Sequence, residues 1–147
     1  MIKLTCSLLL VMLTSALFAQ KRVNNWTPVV ESSGVKVESK HVSCVQTNLG
    51  FDRELVLLKI SNQNPFDVTV SYDLQVFRNN VCTTCDRMPE YHVDILVKAN
   101  STMEGDCLNL QLNQLKIFAH FLEDRYRLPQ DELTDFKLEQ FTVTPLN

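Results

Sequence analysis

The sequence predicts an all-β protein, a single antiparallel β-sandwich of immunoglobulin-like or fibronectin-like type with about seven strands. Two observations carry this expectation. Apolar and polar side chains alternate with a period of two along several segments, most clearly from Val68 to Val76. Turn-forming residues follow each apolar run at short intervals, so neighbouring strands pair antiparallel rather than through long crossovers.

The first strand runs from Trp26 to Glu31 and ends in the turn Ser32-Ser33-Gly34. Val35 and Val37 then face one way and Lys36, Glu38 and Lys40 the other, as where one sheet face meets water. Arg53 to Ser61 reads as a central strand, because Leu55, Val56, Leu57 and Leu58 are apolar on both parities and need cover on both faces. Asn62-Gln63-Asn64-Pro65 breaks it, since Asn accepts turn geometry and Pro cannot donate to a ladder. Val68 to Arg78 is the next strand. Asn79-Asn80 fits a two-residue hairpin turn because Asn tolerates positive φ, and Val81-Cys82 starts the return before a loop around Asp86 to Pro89.

Tyr91, Val93, Ile95 and Val97 form the following inward row, with His92, Asp94 and Lys98 outward. Leu108 to Leu122 fits both a helical stripe and a bulged strand pair; strand is preferred for Leu115 to Leu122, because a helix there leaves an odd sheet edge beside the final strand. Asp124 to Glu132 is a charged loop. Phe136 and Leu138, then Phe141 and Val143, make a last strand whose one-residue slip places a bulge near Glu139. The Cys…Trp…Cys order of antibody domains is missing, since Trp26 precedes Cys44.

Residues 1–19 read as a secretory signal peptide: Lys3, an uncharged Leu-rich run from Leu8 to Leu13, and small residues leading to cleavage after Ala19. The apolar run falls short of the roughly 20 residues of a membrane span and stops at Gln20-Lys21-Arg22. The expected mature domain is therefore residues 20–147, without a transmembrane segment, exported to the periplasm or to the cell surface and extracellular space. Cys6 leaves with the signal. A formal net charge of -3 argues against nucleic acid as the partner.

Four cysteines then remain, Cys44, Cys82, Cys85 and Cys107, and in an oxidising compartment they read as two disulfides. The sequence leaves three pairings open. The working assignment is Cys82–Cys85 with Cys44–Cys107, the second closing a long loop worth on the order of 4 kcal/mol in the chain-entropy view. Cys82-Thr83-Thr84-Cys85 by itself fits a redox couple, half of a zinc site or a small structural disulfide. Redox chemistry favours a first thiol at a helix N-terminus, whereas this pair follows a strand and a hairpin. Tetrahedral zinc would have to recruit Cys44 and Cys107, which are single and far apart in sequence.

An alternative metal set is Cys82, Cys85 and His92, although His92 beside Glu90 and Asp94 reads more simply as a solvated strand residue. His41 and His120 lie among apolar neighbours and read as hydrogen-bonded, partly buried side chains. There is no Gly-x-Ser-x-Gly elbow, His-Glu-x-x-His helix or Gly-rich phosphate loop, and Asp131, Glu132 and Asp135 read as solvated loop carboxylates. The expectation is a protein that is not an enzyme, with no catalytic residues, no cofactor and no resident metal. Arg78, Arg87 and Tyr91 are the candidate partner-binding residues, with Arg125, Tyr126 and Arg127 offering the same interface-prone chemistry nearby.

Ala19-Gln20, the Trp26 strand, Cys44, the segment Leu74 to Asp86 with its Cys82-Thr83-Thr84-Cys85-Asp86 end, Pro89-Glu90-Tyr91-His92 and Glu104-Gly105-Asp106-Cys107 together make the chain similar to small exported bacterial proteins of unassigned function. The resemblance spans nearly all of the mature chain and implies a bacterial envelope setting, but no site residues. The function expected from these readings is an exported, non-enzymatic binding or envelope-assembly accessory module whose partner is another envelope or extracellular protein. The alternative is a metal-binding or thiol-redox accessory protein using the C-x-x-C pair.

Overall fold

The computed structural model describes residues 25–45, 52–126 and 128–146. The proposed signal segment 1–19 and Arg127 lie outside the described residues. The fold is all-β and sandwich-like, built from two antiparallel sheets. One sheet holds β1 (Thr27–Ser32), β2 (Val35–Cys44), β3 (Arg53–Asn62), β7 (Ser101–Glu104) and β8 (Lys116–Phe121). The other holds β4 (Val68–Arg78), β5 (Val81–Cys82), β6 (His92–Val97) and β9 (Leu133–Pro145).

In the first sheet β2 pairs the whole of β3 along one edge, and β7 and β8 divide the other edge between Lys59–Asn62 and Arg53–Leu57. In the second, β9 follows β4 from end to end, while β6 covers Val68–Asp73 and β5 only Phe77–Arg78 on the opposite edge. The alternating rows meet between the sheets. Val35, Val37, Val56, Leu58 and Ile60 pack there against Val68, Val70, Tyr72, Ile95 and Val97, all buried. Removing each such side chain from water stabilises the fold by about 1.5–3 kcal/mol, the driving force for closing the sheets.

Local chemistry sets the turns. Ser33 and Gly34 (φ 49° and 73°) join β1 to β2, and Asn79 and Asn80 (φ 47° and 64°) join β4 to β5, both in the left-handed region that two-residue hairpins need. The slip in the last strand is a bulge. Asp73 faces Glu139 and Ser71 faces Thr142, so two residues of β9 oppose Tyr72, with Gln140 at φ 51°. At one end of the sandwich the buried Asn62 ties two loops together: its Nδ2 donates to the carbonyls of Phe66 and Lys98, and its Oδ1 accepts from the backbone and side chain of Asn64.

Three elements depart from the sequence reading. The ambiguous segment divides: Leu110–Leu115 forms 3-10 turns and strand begins only at Lys116. Tyr91 does not open the inward row. It ends a short helix, Met88–Tyr91, nucleated by Pro89 in the first turn where a missing N–H costs nothing, and β6 starts at His92. The short β7 was not anticipated; it pairs with β3 directly after the turn that contains Asn100. With β5 and β7, nine strands are found among the described residues rather than about seven.

Neither β5 nor β6 reaches Leu74–Val76, which leaves a gap in the edge of a buried strand. The C-x-x-C segment fills it. Thr83 N–H donates to the Val76 carbonyl at 2.8 Å, and Thr84 Oγ1 accepts from Val76 N–H at 2.9 Å while donating to the Leu74 carbonyl at 3.0 Å. Thr84 is only 3% exposed, so these backbone groups have no water to fall back on. Thr84→Val keeps the shape, removes both bonds and should destabilise the fold by about 1–3 kcal/mol, with Thr84→Ser much milder. Denaturant unfolding checks this; a loss below about 0.5 kcal/mol for the valine variant would show that the threonine is not the seal.

Candidate functional site

Cys82 and Cys85 are bonded to each other, with Cα atoms 5.8 Å apart, and Cys44 is bonded to Cys107 across 5.7 Å. As disulfides these sulfurs are not the thiolates that metal ligation or nucleophilic redox attack requires. His92 is engaged on the outer face of the second sheet: Nδ1 lies 2.7 Å from Asp73 Oδ1 and Nε2 3.4 Å from Asp94 Oδ1. Cys82, Cys85 and His92 form no common cluster, and no group of three or more His, Cys, Asp or Glu side chains suited to a metal occurs among the described residues.

The hydrogen bond with Asp73 raises the His92 pKa above its ordinary value; partial burial opposes this and the charges of Asp94 and Asp73 add to it. An imidazole with a raised folded-state pKa contributes stability that is complete below its unfolded pKa and is lost as pH rises through the folded value.

Of the partner-binding candidates, Arg78 turns inward. From the end of β4 its Nη2 donates to the Phe118 carbonyl at 2.8 Å and its Nη1 to the carbonyls of Ala119, at 3.2 Å, and Asp131. Burial lowers its pKa. Ala119 is the extra residue of a second bulge, since Leu55 faces Phe118 and Glu54 faces His120. Arg78 therefore caps the edge of β8 and ties the sheets together. Tyr91 is half-buried and lines, with Arg78, Thr83 and Thr84, a cleft of about 190 Å³. Arg87 stands in solvent.

The structure also assembles groups that sequence reasoning did not bring together. Glu54, 3% exposed, meets His41 Nδ1 at 2.9 Å and His120 Nε2 at 3.7 Å, because the register sets Glu54 opposite His120 and one step from His41. This sets a buried carboxylate beside two imidazoles: His41 is hydrogen-bonded to it but exposed rather than partly buried, and His120 is buried at ion-pair distance from it. The cleft beside it, about 180 Å³, is lined by Phe118, His120, Phe121, Tyr126 and Leu128, with Arg78 and Asp131.

A larger feature lies on the outer face of the first sheet. Leu55 and Leu57 point away from the sandwich core and form a second apolar cluster with Cys44, Trp26, Val42, Cys107 and Phe118. The Cys44–Cys107 bond brings the flanking residues Val45 and Leu108 to this face, and these are 62% and 67% exposed, with Leu110 at 74%. Beside them runs an open groove of about 320 Å³, floored by Leu55 and Phe118, rimmed by Leu110 and Asn113, and flanked by Arg53 and Lys116. The one signal in the sequence was the apolar run on both parities at residues 55–58. Its second parity belongs to this cluster, in which Leu55 and Leu57 are buried under Trp26, Val42, Cys107 and Phe118 and the exposed apolar side chains are Val45, Leu108 and Leu110.

Two outcomes test these assignments. Arg78→Met should keep the packing, orphan the β8 carbonyls and cost about 1.5–3 kcal/mol in denaturant unfolding, a loss that a surface arginine would not produce. His92→Gln should lower the melting temperature more at about pH 5.5 than at about pH 8.5; an equal or reversed difference would remove the charged pair with Asp73 as its cause. Among known proteins, no family model and no curated protein matches the chain. A crystal structure of a DUF1425 family member from Shewanella sp. pv-4 is similar over 85% of this chain and 93% of its own, at 12% identity and a TM-score of 0.39, a likeness too distant to carry an argument about fold or function.

Proposed function

We propose that this is an exported, non-enzymatic binding module that engages another envelope or extracellular protein through the outer face of its five-stranded sheet. The observation that supports the reading is the groove between Arg53 and Lys116 with its exposed leucines. Single exposed apolar residues are ordinary on a protein surface, but Val45, Leu108 and Leu110 flank a stapled disulfide beside an apolar floor, the arrangement of a contact patch. The Cys44–Cys107 bond closes a separation of 63 residues, so the patch is organised before any partner arrives.

The competing reading, a metal-binding or thiol-redox accessory protein, has less behind it. Its cysteines are spent on a bond that holds Thr83 and Thr84 against β4, and His92 is occupied by Asp73. The proposal is tested by cross-linking the tagged full-length chain in its own cells and comparing it with a Leu108→Ser, Leu110→Ser double variant. Both sites are exposed, so the variant should melt within about 0.5 kcal/mol of the parent. The reading requires one stoichiometric protein partner, lost or strongly depleted with the variant. Full retention of that partner, or no partner with the parent chain, overturns it.

A further inference from the structure

We infer that the segment seated in this groove is an acidic stretch of polypeptide with apolar side chains between its carboxylates, held at its two ends by Arg53 and Lys116. The inference rests on the reading of this face as a protein-binding surface and names the chemistry of what it binds. Register places both cations on the outward row with Leu55 and Phe118 between them. Arg53 faces Phe121 and Lys116 faces Leu57, so they are separated by four residues of β3, about 13 Å along the strand.

Neither cation has an ion pair or hydrogen bond among the described residues. Asp106 lies within the field of Lys116, but its carboxylate is held below the usual range first by the N–H groups of Asn109 at 2.8 Å and Leu108 at 2.6 Å, with the charge of Lys116 adding to them. The rest of the outward rows is balanced in charge. The outward rows also carry Lys36, Lys40 and Lys59. Against these stand Glu31, Glu38 and Glu104, and Glu38 is held by Lys36 at 2.8 Å and Lys59 at 2.7 Å. The excess of positive charge on this face is therefore that of Arg53 and Lys116, the two cations that flank the groove.

Two cations without a partner among the described residues, set on either side of Phe118 and Leu110, attract carboxylates most strongly once an apolar occupant displaces water from between them, because the local dielectric falls. Their separation selects the kind of occupant. A lipid presents its charge at one end of a chain, whereas a polypeptide can place two carboxylates about 13 Å apart with apolar side chains facing the floor between them.

The test replaces exposed Asn113, on the rim, with a benzophenone amino acid in the full-length chain, irradiates living cells and sequences the cross-linked partner peptide by mass spectrometry. The inference expects a segment with at least two Asp or Glu flanking apolar residues, and a cross-linking yield at least about tenfold lower with Arg53→Glu, Lys116→Glu. Unchanged melting and Trp26 fluorescence show that the double variant is folded; if it is not, Arg53→Gln, Lys116→Gln takes its place with the same expectation. A neutral or basic cross-linked peptide, or a yield indifferent to the charge change, overturns the acidic ligand while the binding face stands. Cross-links to lipid alone, or none, overturn both.

Discussion

The structure depends on one constraint: backbone groups taken out of water need partners, and β4 is a long buried strand whose neighbours on one edge do not meet. β6 pairs as far as Asp73 and β5 begins at Phe77. The carbonyl of Leu74 and both backbone groups of Val76 are satisfied by Thr83 and Thr84 instead. The Cys82–Cys85 bond thereby gains a physical purpose, since it ties the residues on either side of those threonines to each other, and Cys85 N–H is directed at Cys82 Sγ, 3.1 Å away. A dithiol in this turn would loosen the backbone that closes the strand, which sets reversible redox chemistry against fold stability at this position.

The same constraint acts at β8 and reaches the outer face of the first sheet through it. β8 pairs with β3 on one edge only, and its bulge at Ala119 turns a carbonyl out of the ladder. Arg78 meets that carbonyl and the one before it, so a side chain from the second sheet finishes the edge of the first. With β8 held on both sides, Phe118 and Lys116 remain on the outward row beside Leu55 and Leu57. The groove is thus a consequence of how an edge strand is secured. An arginine expected at an interface by its residue type instead secures the strand that carries Lys116 and Phe118.

How much was legible in the sequence follows from how local each signal is. The strand Val68–Arg78, both primed turns and the bulge beyond Glu139 were legible because period and turn chemistry are properties of neighbouring residues. Leu110–Leu115 was ambiguous for a physical reason. Asn109 and Asp106 side chains accept backbone N–H groups there, and this local capping competes with the strand pattern of the leucines. β7 is short and lies close to Gly105, whose missing Cβ leaves room for the Leu115 carbonyl, a contact visible only once the chain is folded. The groove needed three non-local facts together: the Cys44–Cys107 pairing, the β3–β8 register and the bulge that keeps Phe121 on the outward row.

Charge is distributed between the two outer faces with opposite signs. The outer face of the second sheet carries Asp73, Asp94, Asp135 and Glu139, relieved by Lys137 and by His92. The outer face of the first carries the lysines and Arg53 described above. Individual exposed pairs contribute little to stability, but a molecule charged in this way has a dipole from one sheet to the other. Screening confines that field to about 8 Å at physiological salt, roughly the reach of the lysine side chains, so its effect is local to each face. The apolar cluster of Leu55, Leu57 and Phe118 on the first face is held by the Cys44–Cys107 bond rather than by charge, so its shape does not depend on ionic strength.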